Sequence, residues 1–434
     1  MTSTAFWKYP PLTSWLEKRN QFWFSLYTAC AAFFLYTCIY ALRKTFAVAT
    51  FEGLTYGALS YKSWLIIAQV TGYALSKFIG ISAMAELKPQ DRAPGIFALA
   101  LIAGLSWLGF ALLPTPYNMA FLFSNGLSLG LIWGMIFAYL EGRKTTEALG
   151  AGLSVSFIFS SGLVKSVGAL IMRDWGVSDW WMPFVTSLLF AIPLVACLWL
   201  LDHVPPPTAE DELMRTKRKP MTKWERNKFV KTFFPGIVLF VLAYMILTAL
   251  RDFRDNFAAD IWKLVGYENS PGIFTVTEIP VSIAVLLIMG SIMLIKSNSR
   301  ALVINHVIIL IGMIILGAST LLFELHLLTA PIWMMLIGLG LYMGYVPFNS
   351  IFFDRLLATF HCSGTVGFIM YLADAFGYMG SIGVLLFKEF GFTKISWLVF
   401  FIQGSYGTAI LCSILILSSM IYFINKEKIS SHPN

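Results

Sequence analysis

The chain has 434 residues, of which 58% are apolar and only 12% are charged. Soluble domains carry about 25% charged residues, so this composition excludes a soluble globular protein and indicates a chain that lies mainly in lipid. The formal net charge is +8 at pH 7. Lys and Arg are concentrated in alternate loops in a ratio of about four to one, which is the positive-inside pattern of membrane proteins. The positive charge therefore predicts topology, and no nucleic-acid partner is expected.

Twelve apolar runs are long enough to cross a bilayer, whose core of about 30 Å needs about 20 residues of helix. They lie near residues 22–46, 62–84, 94–113, 117–140, 149–172, 181–201, 233–257, 271–295, 301–323, 330–352, 364–387 and 395–424. We expect a first six-helix bundle over 1–201, a polar cytoplasmic linker over 202–232, and a second bundle with a short cytoplasmic tail over 233–434. The charge bias predicts that both termini are cytoplasmic in the plasma (inner) membrane, and residues 1–20 lack the features of a cleaved signal peptide.

The two halves share sequence in three places, in the same chain order. Tyr36–Ala47 and Tyr244–Ala258 have a Tyr and an Ala-Leu-Arg in common, at a constant offset of 208. Leu129–Gly134 matches Leu339–Gly344, and Val167–Gly176 matches Ile382–Gly391. A repeated unit with an even number of spans enters the membrane twice in the same direction. This is the construction of major facilitator transporters, so we predict an all-α membrane protein with that fold, twelve transmembrane helices in two parallel six-helix repeats.

Several basic side chains fall inside the apolar runs, where a charge costs at least about 2.5–3.5 kcal/mol and marks a functional candidate. Tyr36, Tyr40 and Arg43 share one face of the first helix, and Arg251 follows Tyr244 at the same spacing in the seventh. Arginine binds carboxylate or phosphate with a planar fork, so the two guanidinium groups predict an anionic substrate held between the halves. Further candidates inside the helices are Tyr73 and Lys77 in the second helix and Lys165 in the fifth.

The embedded acidic residues belong to the second half. The gating or coupling candidates are Lys44, Asp252, Asp255, Glu278 and Asp374. Asp255 lies one turn after Arg251, which favours an ion pair within the helix. A second interpretation is that Lys44 pairs with Asp252 or Asp255 in one state of a transport cycle and loses that partner in another.

These motifs resemble one branch of the major facilitator superfamily. Tyr-x-x-x-Tyr-x-x-Arg-Lys ending at Lys44, Tyr-x-x-x-Lys ending at Lys77, and Arg251 followed by Asp252 are similar to the organophosphate:phosphate antiporters, which include glycerol-3-phosphate and hexose-phosphate transporters. The resemblance implies that Arg43 and Arg251 bind phosphate. It also implies that the tyrosines and Lys77 line the same cavity. The chain departs from that branch at Lys165, where a titrating His is expected, so a distant branch with a different cargo is indicated.

The function predicted is secondary active transport of a small anionic, phosphorylated metabolite, in exchange for phosphate. One alternative is a proton-coupled symporter of a carboxylate or neutral solute, in which Glu278 or Asp374 titrates. Another is a carrier-like sensor that does not transport. The sequence has no nucleophile elbow, phosphate-binding loop or zinc helix, and its five cysteines have no metal-ligand spacing. We therefore expect no enzyme activity, no cofactor, no metal site and a monomer in the lipid bilayer.

Overall fold

The computed structural model of the chain describes residues 9–208, 211, 223–360, 366–391 and 395–431. Contacts within the chain divide it into two compact units. The first comprises Met1–Thr216 and Asn269–Thr275, and the second comprises Lys217–Glu268 and Val276–Asn434. Within the predicted linker, residues 209–210 and 212–222 lie outside the described residues, whereas residues 223–232 are helical.

The first half of the chain contains eight described α-helices and one β-hairpin. The helices are α1 (Pro10–Glu17), α2 (Gln21–Lys44), α3 (Tyr61–Glu86), α4 (Arg92–Leu112), α5 (Met119–Leu129), α6 (Ile132–Leu140), α7 (Thr146–Trp175) and α8 (Met182–Asp202). A 3-10 helix, Thr45–Val48, continues α2. The hairpin joins β1 (Thr55–Tyr56) to β2 (Leu59–Ser60) through Gly57, whose φ of 63° suits a residue without a side chain.

From residue 223 onward the described chain is built of helices joined by short loops. They are α9 (Lys223–Asn256), α10 (Ala258–Leu264), α11 (Ile273–Met293), α12 (Asn298–Glu324), α13 (Ala330–Ser350), α14 (Phe352–Thr359), α15 (Val366–Gly391) and α16 (Trp397–Ser431). Helix α9 is kinked at Phe233, which has non-helical φ and ψ angles and lies two residues before Pro235. Proline removes a backbone donor and clashes with the preceding turn, so the kink has a local cause.

Each of the twelve predicted apolar runs contains helix. Ten helical segments of the described chain have the length and apolar composition to cross a bilayer. Helices α3 and α15, each of 26 residues, occupy the places of predicted spans 2 and 11. The predicted span 117–140 is divided into α5 and α6 by a turn at Gly130–Leu131. The sequence did not predict α1, the hairpin or α10, because they are shorter than the window that identifies a span.

Glycines let neighbouring helices touch at their backbones. A Cβ atom built on Gly126 of α5 would lie 2.0 Å from the backbone oxygen of Gln69 in α3, and one on Gly72 would lie 2.2 Å from a backbone oxygen of α5. In the other unit, Gly312 of α12 and Gly340 of α13 approach each other in the same way. Small residues permit this kind of close packing in lipid, where the hydrophobic effect does not bring helices together. The contact between α3 and α5 sets the position of Gln69.

The chain that follows α8 folds back onto the loop between α6 and α7. Arg143, buried in that loop, donates a hydrogen bond to the backbone oxygen of Pro205. The Lys144 N–H donates to Asp211 Oδ1 at 3.0 Å, and the Thr208 N–H and hydroxyl donate to Asp211 Oδ2 at 3.0 and 2.9 Å. Burial raises the pKa of the Asp211 carboxyl, whereas the hydrogen bonds from Lys144 and Thr208 lower it. The lowering is the larger effect, so the pKa of Asp211 is below its ordinary value. The beginning of the linker is thus fixed to the first unit.

Candidate functional site

The last turns of α2 bring three predicted site residues together on one buried face. Tyr36, Tyr40 and Arg43 are all less than 9% exposed, and the centres of the two tyrosine rings are 6.3 Å apart. Their spacing of four and three residues places them one above the other on a helix. A long basic side chain near the end of a membrane helix can extend to the membrane surface. In the structure, the Arg43 side chain is buried in protein, with 6% of its surface exposed.

Arg43 and Lys77 share one aromatic ring. The Arg43 Cζ lies 3.8 Å from the centre of the Tyr73 ring, and the Lys77 Nζ lies 5.4 Å from the same centre. Lys77 is also 5.6 Å from the ring centre of Trp133 in α6. A cation over an aromatic face is attracted to its negative charge density, and the attraction is stronger where water is excluded. The structure therefore joins two predicted cations from α2 and α3 in one cluster.

Lys165 and Lys44 are buried elsewhere in the same unit. The Lys165 Nζ donates to Ser161 Oγ, one turn earlier in α7, at 2.9 Å. Lys165 is 3% exposed and Lys44 is 1% exposed. The predicted pairing of Lys44 with Asp252 or Asp255 stays a prediction.

Buried charges in the described part of the first unit have one sign. They are Arg43, Lys44, Lys62, Lys77, Arg143 and Lys165, and no described Asp or Glu of this unit is buried. Lys62 donates to the backbone oxygen of Ala47 at 3.0 Å, and Arg143 donates to the backbone oxygens of Tyr139 in α6 and Pro205 in the linker. Those two have structural roles that the hydrogen bonds explain. The other four are residues that the sequence predicted for the site or its gate.

In the second unit, Arg251 makes an ion pair and an aromatic contact. Its Nη2 lies 2.9 Å from Asp252 Oδ1, and Ser381 donates to the other oxygen of Asp252 at 3.0 Å. Its Cζ lies 4.2 Å from the centre of the Tyr345 ring in α13. Arg251 is thus paired with the adjacent Asp252, and the pair with Asp255 one turn later stays a prediction. The hydrogen bond from Ser381 of α15 fixes the position of the Asp252 carboxylate beside Arg251.

Asp374 belongs to a hydrogen-bonded group with two tyrosines. The Tyr244 hydroxyl donates to Asp374 Oδ1 at 2.5 Å and lies 3.0 Å from the Tyr345 hydroxyl. The two tyrosine rings are stacked, with centres 5.1 Å apart. Asp374 is 8% exposed and Tyr244 is 1% exposed. Because Tyr345 touches both the Tyr244 hydroxyl and the Arg251 guanidinium, it connects a carboxyl group to a cation.

Glu278 is paired with a residue that the sequence analysis did not select. Arg254 Nη2 lies 2.7 Å from Glu278 Oε1 and donates to the backbone oxygen of Met334 at 3.0 Å. The guanidinium packs against Gly338, where a Cβ atom would lie 2.8 Å from its Nη2. Both side chains of the pair are buried. Glu278 of α11 is therefore paired with Arg254 of α9, which also bonds the backbone of α13.

Sequence reasoning missed four contributors to these clusters, namely Trp133, Arg254, Tyr345 and Gln69. Trp133 and Tyr345 lie in or beside the repeated Leu-Gly-Leu segments of the two halves, which was a signal that could have selected them. Arg254 lies three residues after Arg251, and the internal repeat selected Arg251 but not Arg254. Gln69, which donates to the Arg43 backbone oxygen at 2.7 Å, is uncharged, so the cost of burying a charge did not point to it. In the part of the chain that the structure describes, His, Cys, Asp and Glu side chains do not gather in groups of three that could hold a metal.

Three solved structures with the same fold are of membrane transporters. A D-xylose-proton symporter superposes with a TM-score of 0.60 at 15% identity, over 91% of this chain and 95% of that one. The proton:xylose symporter XylE bound to 6-bromo-6-deoxy-D-glucose gives 0.59 at 15% identity, over 94% and 96%. A single-residue mutant of the nucleoside transporter NupG gives 0.60 at 14% identity, over 91% and 99%.

Similarity at this level of identity establishes the fold. The chain is an all-α, multi-pass integral membrane protein with the major facilitator fold, as the internal repeats predicted. Among curated protein sequences, none matches this chain significantly. A model of the family DUF5690 matches residues 45–426, which is most of the chain. The chain therefore belongs to DUF5690, a family of unknown function.

Proposed function

We propose that this protein is a secondary active transporter of a small anionic, phosphorylated metabolite, which it exchanges for phosphate. The observation that carries the proposal is the sign of the buried charges in the first unit, where the described residues include buried Lys and Arg but no buried Asp or Glu. Keeping such charges in a membrane is costly, and a bound anion offsets the cost. A phosphate ester carries a charge of about −1.5 to −2 near neutral pH.

Arg43 and Arg251 are the proposed ligands of the anionic group. Each guanidinium is buried and rests on a tyrosine ring, which limits its motion, and the planar fork of an arginine can bind two oxygens of one phosphate. The tyrosine ring holds the guanidinium group in one orientation before the substrate binds, which lowers the entropy cost of binding. The other proposed substrate contacts are Lys77, Lys165, Tyr36, Tyr40, Tyr73 and Tyr244.

The major facilitator fold supports transport as the activity, while the charged residues select the substrate. The solved relatives are described as carrying xylose or nucleosides, so the fold serves substrates without a phosphate group. An anionic substrate is proposed from this chain's own Lys and Arg. A monomer in the plasma (inner) membrane with both termini in the cytoplasm completes the proposal, and the positive-inside bias of the loops supports that orientation.

Flux measurements in proteoliposomes test the proposal. Vesicles containing the full chain and loaded with inorganic phosphate are expected to take up labelled phosphate, and uptake should fall when the lumen is empty. An imposed pH gradient alone should not drive accumulation. Accumulation of labelled phosphate that depends on the pH gradient and is independent of internal phosphate would overturn the exchange mechanism. Phosphate binding without any flux would identify the protein as a sensor.

Proton-coupled symport is the second candidate, and a specific contact favours it. Asp374 is buried and accepts a hydrogen bond from Tyr244, whose ring stacks on Tyr345. Protonation of Asp374 would remove the negative charge near the Arg251 cluster and so alter what that cluster binds. Two of the solved relatives are named as proton symporters of a sugar. In this mechanism, Asp374 carries the proton and a carboxylate or neutral solute accompanies it.

A further inference from the structure

The backbone carbonyl groups at the end of α2 need hydrogen-bond donors inside the membrane. The last carbonyl groups of a helix have no amide of their own helix to accept from, and lipid supplies no water to replace it. Helix α2 ends at Lys44, directly after Arg43. The backbone oxygens of Leu42 and Arg43 are therefore the groups that need external donors.

Side chains from three other helices satisfy both oxygens. Gln69 of α3 donates to the Arg43 oxygen at 2.7 Å. Asn125 of α5 donates to the Leu42 oxygen at 3.0 Å, and Trp107 of α4 donates to the same oxygen at 2.5 Å. All three side chains are at most 1% exposed. The end of α2 is consequently held from three directions.

The two amide side chains also fix each other. Gln69 Nε2 donates to Asn125 Oδ1 at 2.8 Å, and Asn125 Nδ2 has a second acceptor, the Ala103 oxygen, at 3.1 Å. Each NH₂ group thus uses both of its hydrogens, which leaves one orientation for each amide. The backbone contact at Gly126 brings α5 close enough to α3 for this pairing. A buried network in which every amide hydrogen is bonded is rigid.

Helix α3 contacts Arg43 at both ends of the residue. Gln69 and Tyr73 are one turn apart on the same face of α3. Gln69 holds the Arg43 backbone oxygen, and the Tyr73 ring lies under the Arg43 guanidinium. The direction of the arginine fork is therefore set by the register between α2 and α3.

We propose that Gln69 and Asn125 are positioning residues for Arg43, and that their amide pair determines substrate affinity without touching the substrate. This inference rests on the proposed role of Arg43 as an anion ligand. A displacement of about 1 Å at a binding group is enough to weaken its function substantially. Loss of the amide donors would leave the α2 carbonyls unsatisfied and allow the fork to move.

The test compares Gln69→Met and Asn125→Leu with a matched control, Tyr61→Phe. Tyr61 of α3 donates to Asn118 Oδ1, at the start of α5, at 2.6 Å. The control removes one buried hydrogen bond between the same two helices but does not touch α2. Trp107→Phe, which removes one of the two donors to Leu42, is a milder variant if the amide variants fold poorly.

The first readout needs no substrate. Hydrogen exchange of the backbone amides of residues 42–51 in the purified full chain should accelerate by about tenfold in Gln69→Met and Asn125→Leu, the effect expected of a buried hydrogen bond lost. Tyr61→Phe should leave that segment at the wild-type rate. Equal exchange in all three variants would overturn the positioning role, whatever the protein carries.

The second readout is the affinity for inorganic phosphate, measured in the wild-type and Arg43→Lys backgrounds. Gln69→Met should weaken phosphate binding by about tenfold in the wild type and have no further effect once Arg43 is Lys. An equal loss in both backgrounds would overturn the inference, because it would show that Gln69 acts independently of Arg43. If the wild-type protein does not bind phosphate, the proposed function is wrong. The hydrogen-exchange measurement still tests the positioning role in that case.

Discussion

The guanidinium carbon of Arg43 lies 3.8 Å from the centre of the Tyr73 ring, so the side chain is stacked on protein rather than extended towards the membrane surface. Arg251 lies 4.2 Å from the Tyr345 ring in the other unit. Each unit therefore places the arginine of its repeated Ala-Leu-Arg segment on a tyrosine, although the tyrosines come from α3 in one unit and α13 in the other. This shared local arrangement links the internal repeat of the sequence to a candidate binding function.

Arg43→Lys should weaken phosphate binding by about ten- to a hundredfold. Lysine keeps the positive charge but lacks the planar fork and the flat surface that stacks on Tyr73, and charge-assisted hydrogen bonds contribute about 1.5–3 kcal/mol. Binding to purified protein, followed by thermal shift or calorimetry, provides the measurement. Wild-type affinity in Arg43→Lys would remove Arg43 from the proposed site.

The aromatic platform can be separated from the tyrosine hydroxyl. Tyr73→Phe retains the ring under Arg43, so its phosphate affinity should stay close to that of the wild-type protein. Tyr73→Leu removes the cation–π contact, which contributes about 0.5–2 kcal/mol, and should weaken binding. If both variants bind phosphate equally well, the ring has no role in orienting Arg43.

Breaking the Arg254–Glu278 pair should destabilise the second unit. Removing one partner of a buried ion pair typically costs about 3–5 kcal/mol, whereas replacing both with apolar residues is often close to neutral. We therefore expect Glu278→Met to lower the thermal unfolding midpoint strongly and Arg254→Met/Glu278→Met to recover most of the loss. Arg173→Met, at an exposed pair with Asp174, is the control and should change little. A double variant no more stable than Glu278→Met would contradict the structural role of the pair.

Asp374→Asn distinguishes the two proposed mechanisms. Asparagine keeps an oxygen that can accept from Tyr244 but cannot exchange a proton. If transport is exchange of one anion for another, the variant should retain phosphate exchange. If transport is proton-coupled, uptake driven by a pH gradient should disappear while exchange at equal pH persists. Proteoliposome flux under the two conditions separates these outcomes.

The contact between Lys144 and Asp211 should weaken in acid. The pKa of Asp211 is below its ordinary value of 3.8, so its carboxylate stabilises the folded linker above that value, and the stabilisation is lost as the pH falls through the lowered pKa. The Lys144 amide should therefore lose hydrogen-exchange protection only in strong acid, after correction for intrinsic rates. Asp211→Asn should lower protection at neutral pH; unchanged protection in that variant would show that the hydrogen bond is unimportant.

Gly126→Ala should disturb the contact between α3 and α5. Its new Cβ would lie 2.0 Å from a backbone oxygen, and overpacking of this kind costs about 1–3 kcal/mol. Gly104→Ala, in α4, is the control, because no atom lies within 4 Å of the position that a methyl group at Gly104 would take. The thermal unfolding midpoint should fall in the first variant and not in the second. Equal midpoints would contradict the proposed close packing.

The transmembrane helices were predictable from sequence because each needs a long apolar run, and the six-helix repeat was visible in short matched segments. Burial of Lys77 and Lys165 was also predictable, since a mid-helix charge must face protein or water. The repeat pointed to Arg251 as well, because it follows Ala-Leu just as Arg43 does. These features depend on local sequence.

The partners of the charged residues could not be predicted in the same way. The hydrogen bond from Ser381 of α15 holds Asp252 beside Arg251, and helical spacing gave no sign of that contact. Glu278 pairs with Arg254, which comes from a different helix. Gln69 and Asn125 show no charge or periodicity that marks them out. Such contacts depend on the rotation and register of packed helices, which a single sequence does not specify.

The most direct test of the proposed function is a binding screen on the purified chain, using thermal stabilisation by inorganic phosphate, sugar phosphates, carboxylates and neutral sugars. We predict that phosphate and sugar phosphates raise the unfolding midpoint of the wild-type protein and that Arg43→Lys and Arg251→Lys each reduce the rise strongly at the same ligand concentration. Stabilisation by neutral sugars but not by phosphate, or a full response to phosphate in both lysine variants, would contradict the proposed anion site.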